Sequence, residues 1–410
     1  MTPRLLSSIL AASIVLAPTA LARRHAAETL SYKPIVIAGL FSLTGDGSSL
    51  GVASETALQL AVRDINRELA AISSPFRVEG TIEDTQLTGS IALQKIDAAY
   101  NLGARFVVGP QSSAEAGAML AYANAHGMIV ISQASTASSL AIPGDSLFRL
   151  APNDKLEGAA QAALLKEQAI DAIVPMWRDD AGNRGLHDST AAAFAKLGGS
   201  ADAGVSYDPA TEDFSARVMA LGNAVRTLKS AHPSAHIAVY LASFEEAVDI
   251  MRLARLDSDL STIRWFGGDG VAQSRALLDD PAVAAFAAAT SFTAPNVGLD
   301  ETARSTWEPL SDEIAARIGF RPDAYALSVY DATWVAALSA LEVQNDPSLL
   351  HDSFVRNVQR YWGATGATAL DENGDRKIGN FDFWTIRSAS AATDWVRTAQ
   401  FSGGNVSVTP

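Results

Sequence analysis

Two stretches, Val107-Val-Gly-Pro-Gln-Ser-Ser113 and Ile129-Val-Ile-Ser-Gln-Ala-Ser-Thr136, decide the fold, because each is a short apolar run that ends in small hydroxyl residues. Such a run, too short for a helix and closed by polar residues, reads as a buried strand. In an open parallel sheet the carboxyl ends of the strands converge with the starts of the following helices on one crevice, where ligands bind. Hydroxyls and free backbone N–H groups there suit a small anion, above all a carboxylate.

The same rhythm runs outward from these two strands. Before them come a strand over 35–41, a glycine and serine loop, a helix over 53–69, a strand over 76–83 and a helix over 91–101. The strand over 105–108, a helix over 113–125 and the strand over 128–132 complete the set. This alternation predicts a parallel, doubly wound α/β sheet. After the polar stretch Phe148-Arg-Leu-Ala-Pro-Asn-Asp154 a second series begins, with helices over 156–168, 185–197, 214–230 and 244–256 and strands over 172–176, 203–207, 236–241 and 262–267. The chain is then expected to turn back through 289–295, and a helix over 328–341 to pack on the first lobe. Residues 369–386 read as a hairpin with Asn373-Gly374 at its turn.

Composition narrows the function classes. The 410 residues carry a net charge of −14, which disfavours nucleic acid or an anionic membrane as partner. Cysteine is absent, so disulfides, thiolate metal sites, cysteine nucleophiles and a lipid-modified amino-terminal cysteine are excluded. Residues 1–22, an apolar run closing in Ala20-Leu-Ala22, read as a cleaved export signal, since polar interruptions make a poor membrane span. The product is expected to be periplasmic.

Four stretches carry a resemblance: Gly39-Leu-Phe-Ser-Leu-Thr-Gly45 with Gly51 and Asp64-Ile-Asn66; Gly109-Pro110 with Ser113; Ser132 to Thr136 with Phe148-Arg149 and Pro152; and Leu370-Asp-Glu-Asn-Gly-Asp375. In order and spacing the chain resembles type I periplasmic solute-binding proteins of the branched-chain amino acid (Leu/Ile/Val) family. The resemblance implies two doubly wound parallel-sheet lobes joined by three crossovers, one of residues 33–152 plus 293–362 and the other of 153–292 plus 363–400. It also implies an amino acid held between the lobes, an ABC-type permease as partner, a monomer and no cofactor or reaction.

On the same resemblance, Ser113 and Thr136 offer hydroxyls to the ligand carboxylate, and the backbone around Ala134 and Ser135 completes the cradle. Asp269, in Trp265-Phe-Gly-Gly-Asp-Gly270, pairs with the ligand's ammonium, while Leu50, Gln111, Phe244 and Tyr325 line the pocket. Each has a plainer alternative: Ser113 as a helix cap, Asp269 as a turn residue, the other four as core packing. One departure stands out at Asp180-Ala-Gly-Asn-Arg-Gly185, where many relatives carry an aromatic residue; Trp177 or Arg178 is the expected substitute.

Two rivals remain at the level of sequence. The same fold serves as the sensing part of receptors, and Gly47-Ser-Ser-Leu-Gly51 matches the nucleophile-elbow pattern of a serine hydrolase with Ser49 as nucleophile. Residues 371–375 have calcium-type oxygen ligands, but the glycine position is wrong for a calcium loop and a solvated turn is the better reading. The six histidines form no metal spacing, and no G-x-G-x-x-G follows a strand.

Overall fold

The computed structural model describes residues 32–377, 379–389 and 392–408; the export signal read over 1–22 lies outside them. The first lobe has strands β1 Lys33–Phe41, β2 Phe76–Asp84, β3 Phe106–Val108, β4 Ile129–Ser132 and β5 Leu147–Arg149, with helices α1 Ser48–Ala71, α2 Gly89–Asn101 and α3 Ser113–His126 between them. All five strands are parallel in the order β2-β1-β3-β4-β5. The order reverses beside β1, so the ends of β1 and β3 open on a crevice.

The second lobe follows with α4 Asp154–Glu167, β6 Ala172–Arg178, α5 Ala181–Lys196, β7 Ser200–Ala201, β8 Val205–Tyr207, α6 Ser215–Ala231, β9 Ile237–Ala242, α7 Ala247–Ala254, β10 Arg264–Gly267, α8 Ala276–Asp279, α9 Pro281–Ala289 and β11 Thr293–Val297. The chain returns to the first lobe through α10 Arg304–Ile318, α11 Ala324–Glu342, α12 Leu350–Val358 and the small hairpin of β12 Trp362–Gly363 and β13 Gly366–Ala367. It ends in the second lobe with β14 Phe381–Ser388, β15 Thr393–Ser402 and β16 Asn405–Val408. The nine-stranded second sheet runs β16-β15-β14-β11-β10-β9-β6-β7, with β8 also paired to β6.

Three crossovers join two α/β lobes, as the sequence predicts, but the second and third fall at different positions. Residues 293–297 pair in parallel with β10 and antiparallel with β14, so the second crossover comes after Val297 rather than before Thr293. Residues 363–376 stay with the first lobe: Leu370 belongs to its core, and Asp331 of α11 accepts the backbone N–H groups of Ala364 and Thr365 at 2.7 and 2.8 Å. The long hairpin expected over 369–386 is reduced to a single bridge between Leu370 and Arg376. Phe381–Ser388 instead finds partners in β11 and β15, whose length offers far more ladder hydrogen bonds.

The first core packs Phe41, Leu58, Phe106 and Ile131 against Trp307, Val329 and Ala336, which ties α10 and α11 to the first lobe. The crossovers are bonded to one another. Arg149, at the end of β5, holds Asp375 through two contacts of 2.6 and 2.8 Å, and Gly298 N donates to Asn380 O at 2.8 Å. With Arg149 and Asp375 each about 1% exposed, this pair is a buried, bidentate ion pair where the crossovers meet, so Asp375 is not part of the solvated turn read from the sequence. No helix among the described residues is long and apolar enough to cross a membrane.

Candidate functional site

A cleft of about 770 Å3, counting its open mouth, lies between the lobes where the ends of β1, β3, β4, β9 and β10 face each other. Leu50, Gln111, Ser113, Ala134, Thr136, Phe244, Asp269 and Tyr325 all line it; Ser135 does not. Ser135 lies directly behind, fully buried, with its hydroxyl 3.0 Å from that of Ser113.

The first-lobe wall is built from neutral donors. Helix α3 is capped by Ser112, not Ser113: the Ser112 hydroxyl accepts from Glu115 N at 3.2 Å, and the Glu115 carboxylate accepts from Ser112 N at 3.1 Å. This capping box takes over the helix-cap role. The Ser113 oxygen accepts from Ala137 N at 3.1 Å and lies 3.0 Å from Ser135 Oγ, a pair in which either hydroxyl can donate, so with Ser135 as donor the Ser113 proton turns to the cleft. The first N–H groups of α3 have no intrahelical partner and carry the positive end of the helix dipole.

Across the cleft stands the start of α5. Gly182 replaces the expected aromatic wall, and a Cβ placed on it would lie 3.4 Å from Ser113 Oγ. Asp180 caps this helix through Asn183 N at 2.9 Å. Two helix starts therefore face each other at close range, an arrangement that favours an anion between them. Neither expected substitute for the aromatic residue lines the cleft. Trp177 stacks on His187 with ring centroids 4.1 Å apart, and the Arg178 guanidinium is drawn off by Asp180, Glu246 and Asp46.

The opposite end is acidic. Asp269 follows β10, and its Oδ2 accepts from the Tyr325 hydroxyl of α11 at 2.9 Å, a bond that spans the two lobes. Asp323 caps α11 through Ala326 N at 2.8 Å and also lines the cleft. Behind Asp269 lie Asp154 and Glu157 of α4. Burial pushes Asp269 up to about 6, and burial with the Asp269 charge pushes Asp154 and Asp323 up to about 7. Burial first, then the neighbouring charges of Asp269 and Asp154, raises Glu157 well above the usual carboxyl range.

Sequence reading did not single out Asp154, Glu157, Asp323 or Glu245. A signal existed for the first two: Asp154, Glu157 and Gln161 recur at helical spacing on the buried face of α4, where polar groups need a reason. Glu245 accepts from Ser274 Oγ at 2.5 Å, Ser48 Oγ at 3.1 Å and Ser49 N at 3.4 Å, so a second-lobe carboxylate sits on the start of α1.

The remaining residues have plainer surroundings. The Gln111 amide is tied to main chain, accepting from Ser42 N at 3.3 Å and donating to Gly47 O at 2.8 Å. The Ser49 hydroxyl accepts from Arg275 N at 3.1 Å, and no histidine is among the described residues lining the cleft. Leu50 packs beside Ala151, Val297 and Tyr325, while the Phe244 ring lies 5.6 Å from the Arg178 guanidinium.

Solved structures share this architecture. A leucine-binding protein LivK from Thermotoga maritima superposes with a TM-score of 0.74 at 19% identity, covering 90% of this chain and 99% of that one. The branched-chain amino acid transporter substrate-binding protein LivJ from Streptococcus pneumoniae, in complex with isoleucine, gives 0.68 at 18% identity, covering 89% and 100%. A solute-binding protein of an ABC transporter from R. palustris, in complex with benzoate, gives 0.72 at 14% identity, covering 89% and 96%. The fold is thus that of type I periplasmic binding proteins. In sequence, the chain is 27% identical over 366 residues to an uncharacterized protein of Methanocaldococcus jannaschii, 85% of each chain. The family model for the receptor family ligand binding region matches residues 53–388, and the chain belongs to that family.

Proposed function

We propose that this protein captures a small zwitterion, an amino acid or a close analogue, between its lobes and delivers it to a membrane permease of the ABC type after export to the periplasm. The observation that carries the reading is the polarity of the cleft. Ser113, Thr136 and two helix starts offer neutral donors at one end, and Asp269 with Tyr325 offers an acceptor at the other. A carboxylate needs several donors once desolvated, and an ammonium needs a carboxylate. Leu50, Phe244 and Leu186 supply apolar surface between them for a side chain.

Ligand in the cleft would favour the closed arrangement, because contacts from both lobes exist only there. Hinge closure of two rigid lobes around a ligand is the general motion of periplasmic binding proteins. The solved relatives bind leucine, isoleucine and benzoate. Of these, benzoate has no cation for Asp269, so the acidic end favours the amino-acid class. The family description also fits a ligand-sensing subunit, which would share the cleft and differ only in partner.

The test is calorimetric titration of refolded, ligand-stripped mature protein with amino acids, small amides and aromatic carboxylates. Binding of an amino acid and none of benzoate supports the reading. Binding of benzoate with silence across the amino acids sinks it.

A further inference from the structure

The buried group left unused by this reading is Glu157. It lies in the first turn of α4, 1% exposed, one turn from the fully buried Asp154. Its Oε1 accepts from the backbone N–H of Asp269 at 3.1 Å, which brings the two carboxyl-bearing residues together behind the cleft. Its Oε2, like Asp154 Oδ1, has no hydrogen-bond partner among the described residues.

The surroundings hold little that would neutralise it. Asp154 faces it from its own helix, Asp269 from the segment after β10, Tyr240 from β9, and Tyr325 with Asp323 from the start of α11. Arg149 of β5 acts on Asp154, but its guanidinium is engaged by Asp375. Helix α5 packs on α4 with Gly185 beside Asp154, Leu186 beside Gly268 and Thr190 bonded to the Tyr240 hydroxyl, all uncharged. His187 is turned onto Trp177. Two carboxyl groups buried together without a cation cannot both ionise, and one of them keeps a proton.

We propose that Glu157 is a proton-bearing positioning residue: as a neutral acid it donates to Asp269, holds that carboxylate in place, and lets the pair offer one negative charge to the ligand's cationic group rather than two. The proton stays on Glu157 because it is the deeper of the two, while Asp269 lines the cleft and shares the Tyr325 hydroxyl. A pair of this kind selects a single ammonium over a doubly cationic ligand. That consequence rests on the amino-acid reading, whereas the protonation of Glu157 does not.

The experiment follows side-chain carboxyl carbons by 13C NMR in ligand-free mature protein across the neutral range, with Glu157→Gln and Asp269→Asn used to assign the two signals. The expected result is a Glu157 carboxyl in its acid form at pH 7, beside an Asp269 that titrates below it. A Glu157 carboxylate at pH 7 overturns the proposal. Should Glu157→Gln fail to fold, backbone-linked assignment in the wild-type protein decides the same point. Since no ligand is added, silence in the calorimetric panel and an ionised Glu157 are separate failures. Glutamine can both donate to Asp269 and accept its N–H, so the folded Glu157→Gln protein should leave the Asp269 titration midpoint within about half a pH unit of wild type. A larger displacement assigns the wild-type pair two charges and also overturns the proposal.

Discussion

The two ends of the cleft solve opposite electrostatic problems by different means. At the first-lobe end Ser113 is held from behind by Ala137 N and Ser135, and its cap duty has passed to Ser112, so a neutral donor stands ready without a counter-charge. At the other end Asp269, Glu157 and Asp323 are carboxyl groups crowded together and pushed toward their neutral forms by burial, as is Asp154, which reaches back to Ser138 N at 3.3 Å. The first arrangement costs little when empty, since hydroxyls and N–H groups can turn to water. The second is under electrostatic tension until a cation arrives.

That contrast predicts unequal penalties. Asp269→Ala should weaken an amino-acid ligand by roughly 2 to 5 kcal/mol, because it leaves a desolvated ammonium unpaired. Thr136→Val should cost about 1 kcal/mol, the net worth of one hydrogen bond. Calorimetry of both variants checks this, and equal losses would erase the distinction between the ends.

A smaller effect belongs to the contact between the lobes. Helix α1 has Gly47 at its cap position, which offers no side-chain cap, and Glu245 supplies one from the opposite lobe through Ser48 and Ser49. Glu245→Gln should weaken the closed form by roughly 1 kcal/mol, the scale of a lost charged cap. Small-angle scattering of the ligand-free protein should then show a larger radius of gyration. An unchanged profile would mean that the contact does not bias closure.

The smallest effect concerns pH. Asp323 is raised from 3.8 to about 7 by burial, so the folded protein holds its proton more tightly than the unfolded chain. Its contribution therefore favours folding at low pH and is lost as pH rises from about 4 through about 7. Asparagine caps a helix equally well, so Asp323→Asn should be more stable than wild type above pH 7, by about 1 kcal/mol, and no more stable near pH 4. Thermal unfolding at the two pH values reads this, and a pH-independent difference would place the effect elsewhere.

Much of this is legible in the sequence. The apolar runs ending in Ser113 and Thr136 have the length and composition of buried parallel strands, and strand ends in such sheets meet at a crevice, so the cleft and its first-lobe wall are readable there. Ser135 shows the limit: it is adjacent to Ala134 and Thr136 in sequence, but a strand end turning into a loop points only some of its residues at the cleft. Trp177 and Arg178 show it again, since stacking on His187 and pairing with Glu246 draw them from the position left by the missing aromatic residue.

Sequence by itself determined the alternation of strand and helix, the two lobes and the strand ends that form the cleft, because those depend on local apolar periodicity and on turn chemistry. Only the tertiary structure decided where the crossovers fall, that β14 to β16 extend the second sheet, and that Glu157 and Asp154 converge behind Asp269 with Tyr325 and Asp323 facing them. These groups come from segments far apart in the chain, and the burial that governs their charge exists only once the lobes have packed.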